Sequence, residues 1–466
     1  MTELAAGEQV RLARVEFGGQ SSGTAPLTWG QRAIWSAIGR TRPGDWYFNF
    51  CRTLMLPRRY DLPQVLAAIR FVLERHESLR TRLTGTDGEP LQSAAAAGVL
   101  EVEVLEVAAG DREAGARVAE RYAARGFDYE REWPVRIAVL TKGGVPAELV
   151  MAFCHLAADY EGTGYLLRDI RAALAGRTAG LPPAPRPSEL ALHQESAEGR
   201  RFAEAAAAHW ARAYRLIPVS MFPAGEYVPA EPRYQRLELI SPALAVAVPA
   251  VAGRLAVSTS TVLLAAAGAV LRGRTGHDTV AMLAISGNRV APRTREIVST
   301  LSLEALVVLP FEGVTGFEEA VRATGRAAMA GYRFGHYDER DRDRVVAAES
   351  ARRGEPVHPY CCVNDLRGAG QGAAVVSGPA GVHPAALLGG TRLLELSPLE
   401  QLSCRFCLHF DDAPGALSIR LTADTGCLPL PAMERFLRET ERLLVAAYDG
   451  EVSLAGFGVH GADDPS

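Results

Sequence analysis

The sequence predicts a mixed α/β protein of the α+β type, built as two lobes. Three observations predict it. Helical and strand-like hydrophobic periods alternate along the chain, some strand segments are apolar on both faces, and one proline-rich stretch divides the whole. With 466 residues, 48% of them hydrophobic, the chain can bury a large core, and two or three folding units are expected.

Asp61-Leu-Pro opens a helix: Asp61 can cap it, Pro63 suits its first turn, and Leu62, Val65, Leu66, Ile69, Val72 and Leu73 recur at helical spacing. The segment Glu101–Val107 alternates as a half-buried strand, whereas Leu149–Phe153 is apolar on both faces and reads as a central strand. Pro182, Pro183, Pro185 and Pro187 lie within Gly176–Ser188 and disfavour both helix and ladder pairing. They set the boundary between an N-terminal lobe, 1–181, and a C-terminal lobe, 188–451, with 452–466 a flexible tail. In the second lobe an Ala-rich helix over Glu189–Arg215 precedes strands near Tyr234–Ile240, Asp278–Ile285, Leu303–Leu309, Cys404–Phe410 and Leu417–Thr422. Interleaved helices fall at Ser258–Leu271, Phe317–Tyr332 and Pro429–Tyr448.

Fifty Lys+Arg against 54 Asp+Glu leave a net charge of −4, which supplies no field for a phosphate backbone and argues against a nucleic-acid partner. Lys142 is the only lysine. The first residues lack the apolar core of a signal peptide, and the most apolar stretch, Ala256–Leu271, is shorter than the roughly 20 residues of a membrane span. A cytoplasmic, monomeric protein with no membrane partner is expected. Its seven cysteines are too sparse for a secreted disulfide scaffold and are expected to be reduced thiols.

Three constellations could carry chemistry. Cys404-Arg-Phe-Cys407 has CxxC spacing and raises a redox or zinc reading, with Cys361 and Cys362 as further thiols. On a strand, positions three apart face opposite ways, which favours buried cysteines acting as small hydrophobes. In Phe153-Cys-His-Leu-Ala-Ala-Asp-Tyr-Glu-Gly162, His155 follows the central strand and Asp159 stands where the next helix needs an N-cap. A neutral imidazole there can take a proton from an amine or hydroxyl, and a satisfied core histidine fits the same pattern. Ser286-Gly-Asn-Arg289 follows an apolar strand and projects Arg289 from its end, as a site residue or as a solvated arginine. No P-loop, dinucleotide fingerprint, HExxH or nucleophile elbow stands in a supporting context, which disfavours nucleotide-cofactor chemistry and serine hydrolysis.

Taken together these motifs resemble the condensation domains of nonribosomal peptide synthetases. Leu27-Thr-Trp-Gly-Gln-Arg-Ala-Ile-Trp35 is similar to their opening motif, and Arg75-His-Glu-Ser-Leu-Arg-Thr-Arg-Leu83 matches their second almost residue for residue. Cys154–Tyr160 resembles the active-site motif His-His-x-x-x-Asp-Gly, with weaker echoes at Ser286–Arg289, His336-Tyr-Asp338 and Val363-Asn-Asp365; the resemblance covers about residues 20 to 450. It implies two chloramphenicol-acetyltransferase-like lobes forming a V, with the active site in the central cleft. His155 becomes the functional histidine, and Asp159 its structural support, paired with Arg289 from the other lobe. Cys154, Tyr160 and Asn364 become residues lining the cleft or channel.

The implied reaction joins a carrier-bound acyl or aminoacyl thioester to an amine or alcohol acceptor, forming an amide or ester. The partners are an acyl or peptidyl carrier protein, whose phosphopantetheine arm brings the substrate, and a small-molecule acceptor; no cofactor is bound permanently and no metal is needed. Three departures from the family pattern stand out. Cys154 replaces the first histidine, Tyr160 replaces the glycine after the aspartate, and the fifth motif, which ends in Asn-Thr, is unrecognisable in Ile297–Leu303. They motivate a rival from another class, a catalytically inactive module that docks a carrier protein or recruits a tailoring enzyme. An acyltransferase using coenzyme A thioesters is a third possibility.

Overall fold

The computed structural model describes residues 9–19, 21–222, 227–368, 381–400, 402 and 404–457. The chain divides into two compact units, one comprising 1–202 with 287–302 and the other 203–286 with 303–466.

In the first unit five described strands form a sheet in the order Gln9–Gly18, Ala97–Glu106, Val135–Lys142, Val145–Phe153, Phe50–Met55, and three more, Gly23–Pro26, Leu91–Ala94 and Thr81–Thr84, form a second sheet in that order. In the five-stranded sheet only the second and third strands pair in parallel. Leu149–Phe153 is internal and buried on both faces, as its composition predicts. Leu149, Met151 and Phe153 join Ile69, Leu73, Leu167 and Ile170 from the helices Leu62–Arg75 and Tyr160–Leu174. Val150 and Ala152 face the opposite way, into a cluster with Val118 and Tyr122 of the helix Ala114–Ala123. Asp61 caps its helix as expected, accepting from the Gln64 amide at 2.8 Å, while Gln64 reaches back to the Asp61 amide.

A seven-stranded mixed sheet forms the second unit among the described residues. Its order is Leu303–Pro310, Thr279–Ser286, Cys361–Asp365, Phe406–Ala413, Ala416–Asp424, Tyr234–Ser241, Arg392–Leu399. The helices Pro242–Leu255, Thr259–Thr275 and Leu430–Ala446 pack together over it through Leu244, Val248, Leu263, Met433 and Leu437, all fully buried.

Several elements depart from the sequence expectation. The Ala-rich segment is two helices, Pro187–Gln194 and Ala197–Leu216, so a helix starts inside the proline-rich stretch, with Pro187 in its first turn. Residues up to Phe202 cluster with the first unit. The helix Pro242–Leu255 escaped the sequence reading because Pro249 lies inside it, and the charged helix Glu339–Arg353 because it has almost no apolar stripe. Part of the expected flexible tail is ordered: the Phe317 amide donates to Val452 and Leu454 donates to Thr315, while residues 458–466 lie outside the described ones. No single described helix is long and apolar enough to cross a membrane; Pro242–Leu255 and Thr259–Thr275 are apolar together, bent by 104°, and buried.

Candidate active site

The central strand Val145–Phe153 ends at Phe153, and a turn closed by the Ala157 amide on the Cys154 carbonyl, 2.9 Å, carries His155 to the next helix. Asp159 is the N-cap of Tyr160–Leu174, its Oδ1 accepting from the Gly162 amide at 2.7 Å. Arg289 clamps the same carboxylate with Nη2 on Oδ1 at 2.7 Å and Nη1 on Oδ2 at 2.9 Å. Oδ2 also accepts from the Leu301 and Ser302 amides and the Ser302 hydroxyl at 2.9–3.0 Å. Burial alone would raise this carboxyl, but the Arg289 charge and these donors outweigh it and hold Asp159 below the usual carboxylate range. Nη1 and Nη2 also donate to the carbonyls of Gly287 (Nη1) and of Ile297 and Ser299 (Nη2), while Nε is buried without a partner.

Gly162 makes this packing possible. A Cβ there would stand 3.0–3.2 Å from Arg289, Asp159 and the Ser299 carbonyl. Arg289 leaves the end of the strand Thr279–Ser286 as the sequence suggests, yet Gly287–Ser302 clusters with the first unit. The Asp159–Arg289 pair is therefore internal to that unit, which corrects the expectation of an arginine from the other lobe.

His155 is half-buried, its ring edge-on to Phe50 at 5.5 Å between centroids. Its Nδ1 lies 3.2 Å from the Thr300 hydroxyl oxygen, and that hydroxyl donates to the His155 carbonyl. Since the single Thr300 proton is used on the carbonyl, its oxygen accepts from Nδ1–H, which leaves the basic lone pair on Nε2. Backbone hydrogen-bonding groups of His155 and Ala158 also bear on the ring. Burial pushes the imidazole below its ordinary value against the opposing pull of Asp159, so it is neutral at pH 7. Sequence reasoning missed Thr300, Ser299 and Ser302, because it found no motif in the segment holding them.

Cys154 lies one residue past the strand end, where strand alternation no longer applies. It packs with Leu27, Ile38, Leu83 and Phe127 and borders a cavity of about 20 Å³, room for one water, which Gln31, Ser78 and Tyr129 also line. Burial pushes its thiol up to about 12, so it is inert as a nucleophile near neutrality. Tyr160 is half-buried with the Arg52 guanidinium 4.1 Å over its ring, a stack that occupies a position held by glycine in the family pattern. Asn364 belongs to the second unit, in register beside His409, whose titration burial and the Arg420 and Arg236 charges lower to about 4.

The CxxC pair departs from expectation. Cys404 and Arg405 form a bend before the strand that begins at Phe406, so the Cys404 and Cys407 thiols meet each other and Cys362 rather than facing apart. No group of three or more His, Cys, Asp or Glu among the described residues is arranged to hold a metal.

The α/β fold of two sheet-and-helix units is that of solved condensation domains. Within that class, the condensation-domain family profile matches residues 21–328, and the chain belongs to that family. It is 34% identical over 158 residues to the probable nonribosomal peptide synthetase CymA of Salinispora arenicola, a match spanning 34% of this chain and 2% of CymA. The fold is shared with a condensation domain that mediates chain release from the enacyloxin polyketide synthase, at TM-score 0.69 and 17% identity, covering 92% of this chain and 84% of that one. It is shared equally with the X-domain from teicoplanin biosynthesis, at TM-score 0.69 and 17% identity over 95% and 99% of the two chains. That X-domain has also been solved in complex with OxyB.

Proposed function

We propose that the chain is a condensation enzyme that forms an amide or ester between a carrier-bound acyl thioester and an amine or alcohol acceptor. The observation that carries this reading is the state of His155. Its Nδ1 lies beside the Thr300 hydroxyl and burial keeps the ring neutral, so in this scheme Nε2 is the nitrogen that carries the lone pair. Nε2 takes a proton from the acceptor as its nitrogen or oxygen attacks the thioester carbonyl. The resulting tetrahedral adduct collapses, the C–S bond breaks, and the proton passes to the departing pantetheine sulfur. Asp159 and Arg289 touch neither reactant in this scheme; they fix the turn that presents the ring. Holding the two reactants together contributes about 7–11 kcal/mol toward the barrier, and the imidazole adds roughly 10²–10⁴-fold.

The test is intact-protein mass spectrometry of an acyl-loaded carrier protein mixed with this chain and an amine pool. Wild-type protein discharges the carrier with appearance of the amide or ester, and His155→Ala, still folded by circular dichroism, loses roughly 10²–10⁴-fold in rate. A folded, fully active His155→Ala variant overturns the assignment. Tyr160 and Cys154 favour a second reading, a carrier-docking or enzyme-recruiting module, supported by the likeness to an X-domain solved with OxyB. That reading predicts binding of the loaded carrier with the acyl mass unchanged.

A further inference from the structure

The mechanism leaves unused a cluster of three thiols in the second unit. Cys362 and Cys407 are register partners on the adjacent parallel strands Cys361–Asp365 and Phe406–Ala413. The bend at Cys404 turns a third thiol back onto them, and all three are in mutual hydrogen-bond contact. Cys404 and Cys407 are buried, whereas Cys362 is half-buried, the most exposed residue of the three. Of the other four cysteines, Cys361 and Cys154 are buried in apolar surroundings, Cys427 is buried, and Cys51 donates its S–H to the Ala119 carbonyl.

From this juxtaposition we infer that Cys362, Cys404 and Cys407 form an oxidation site at which a peroxide converts Cys362 into one half of an intramolecular disulfide. A peroxide transfers one oxygen to the Cys362 sulfur, giving a sulfenic acid and water, or an alcohol if the peroxide is organic. The sulfur of Cys404 or Cys407 then attacks, the S–S bond forms as the S–O bond breaks, and a second water leaves. The closed bond joins the strand Cys361–Asp365 to the Phe406–Ala413 strand or the bend before it, and a dithiol reductant reopens it. For each thiol one sulfur neighbour lowers the titration and the other raises it, and burial adds to the rise, leaving all three well above the ordinary cysteine value. The cluster therefore rests as neutral thiols and answers to sustained oxidant rather than to a brief pulse. Contact between the sulfurs favours closure over further oxidation once the first step has occurred.

The full-length reduced protein is treated with hydrogen peroxide, quenched, alkylated and digested for mass spectrometry. The expected result is a loss of about 2 Da, the two thiol hydrogens, with one bond joining Cys362 to Cys404 or Cys407 and five of the seven cysteines alkylated. Dithiothreitol restores all seven. Cys362→Ser abolishes the mass loss and Cys427→Ser leaves it intact; if Cys362→Ser fails to fold, mapping of the wild-type bond decides. Full alkylation after peroxide, a bond to Cys51, Cys154, Cys361 or Cys427, or Cys362 recovered only as sulfinic acid each overturns the inference.

Discussion

The helix Tyr160–Leu174 is flanked by one buried carboxylate, Asp159 at its N-cap, and carries another, Asp169, in its second half; each has an arginine partner and a histidine nearby. At Asp169 the histidine is consumed by the network. His76 Nε2 lies 3.0 Å from Asp169 Oδ2, its Nδ1 is buried without a partner, and Arg75 and Arg168 complete the cluster. At Asp159 the carboxylate is filled by Arg289, Gly162, Leu301 and Ser302, so His155 bonds to a hydroxyl instead. A histidine that gives its proton to a buried carboxylate is a strut. One steadied through a threonine keeps a basic nitrogen to spend on a substrate.

Replacing the carboxylates probes what the two clusters share. Asp159→Asn leaves the nearly buried Arg289 without its counter-charge, and the expected loss is about 3–5 kcal/mol in chemical denaturation. Normal stability combined with lost activity in Asp159→Asn would break the comparison, because Asp159 would then act on the reaction rather than on the turn.

Thr300→Val probes what separates them. The methyl group fills the volume but no longer accepts from Nδ1–H, so the ring can rotate or change tautomer. The expected cost is about 10²-fold in kcat with KM and thermal stability little changed. Thr300→Ser restores the hydroxyl and should recover most of the rate. A Thr300→Val variant that unfolds, with Thr300→Ser no better, would make Thr300 a strut like the Asp169 cluster.

Much of the scaffold of this site was legible in the sequence. Asp159 was readable as a cap because it lies one residue before an apolar helical period, whereas Cys154 packs in a cluster that strand alternation does not explain, since the strand ends at Phe153. Thr300 was not legible, since it lies in an irregular segment, 299–302, whose contacts to His155 and Asp159 span more than 130 residues of sequence and leave no local period. The thiol cluster was misread for a related reason. Strand alternation was applied to Cys404, which sits in a bend where alternation does not hold. Arg289 was found as a residue but placed in the wrong unit, because proximity to the strand Thr279–Ser286 says nothing about where the following segment packs.

Acidification sharpens the contrast with a smaller effect. Burial lowers the titration of both histidines, against the opposing pull of Asp169 on His76 and of Asp159 on His155. For stability, the unfolded chain binds a proton on His76 near pH 6.5 while the folded chain does not. Its contribution is therefore complete above about 6.5 and erodes as pH falls from there toward the folded value. For activity, protonating His155 removes the Nε2 lone pair, so kcat/KM should be flat near neutrality and fall along an acid limb whose midpoint lies below about 6.5. Thr300→Val exposes Nδ1 to either protonation state and should shift that limb, whereas the His76 contribution to the dependence of Tm on pH should not move. A limb unchanged in Thr300→Val would mean that a group other than His155 accepts the acceptor's proton.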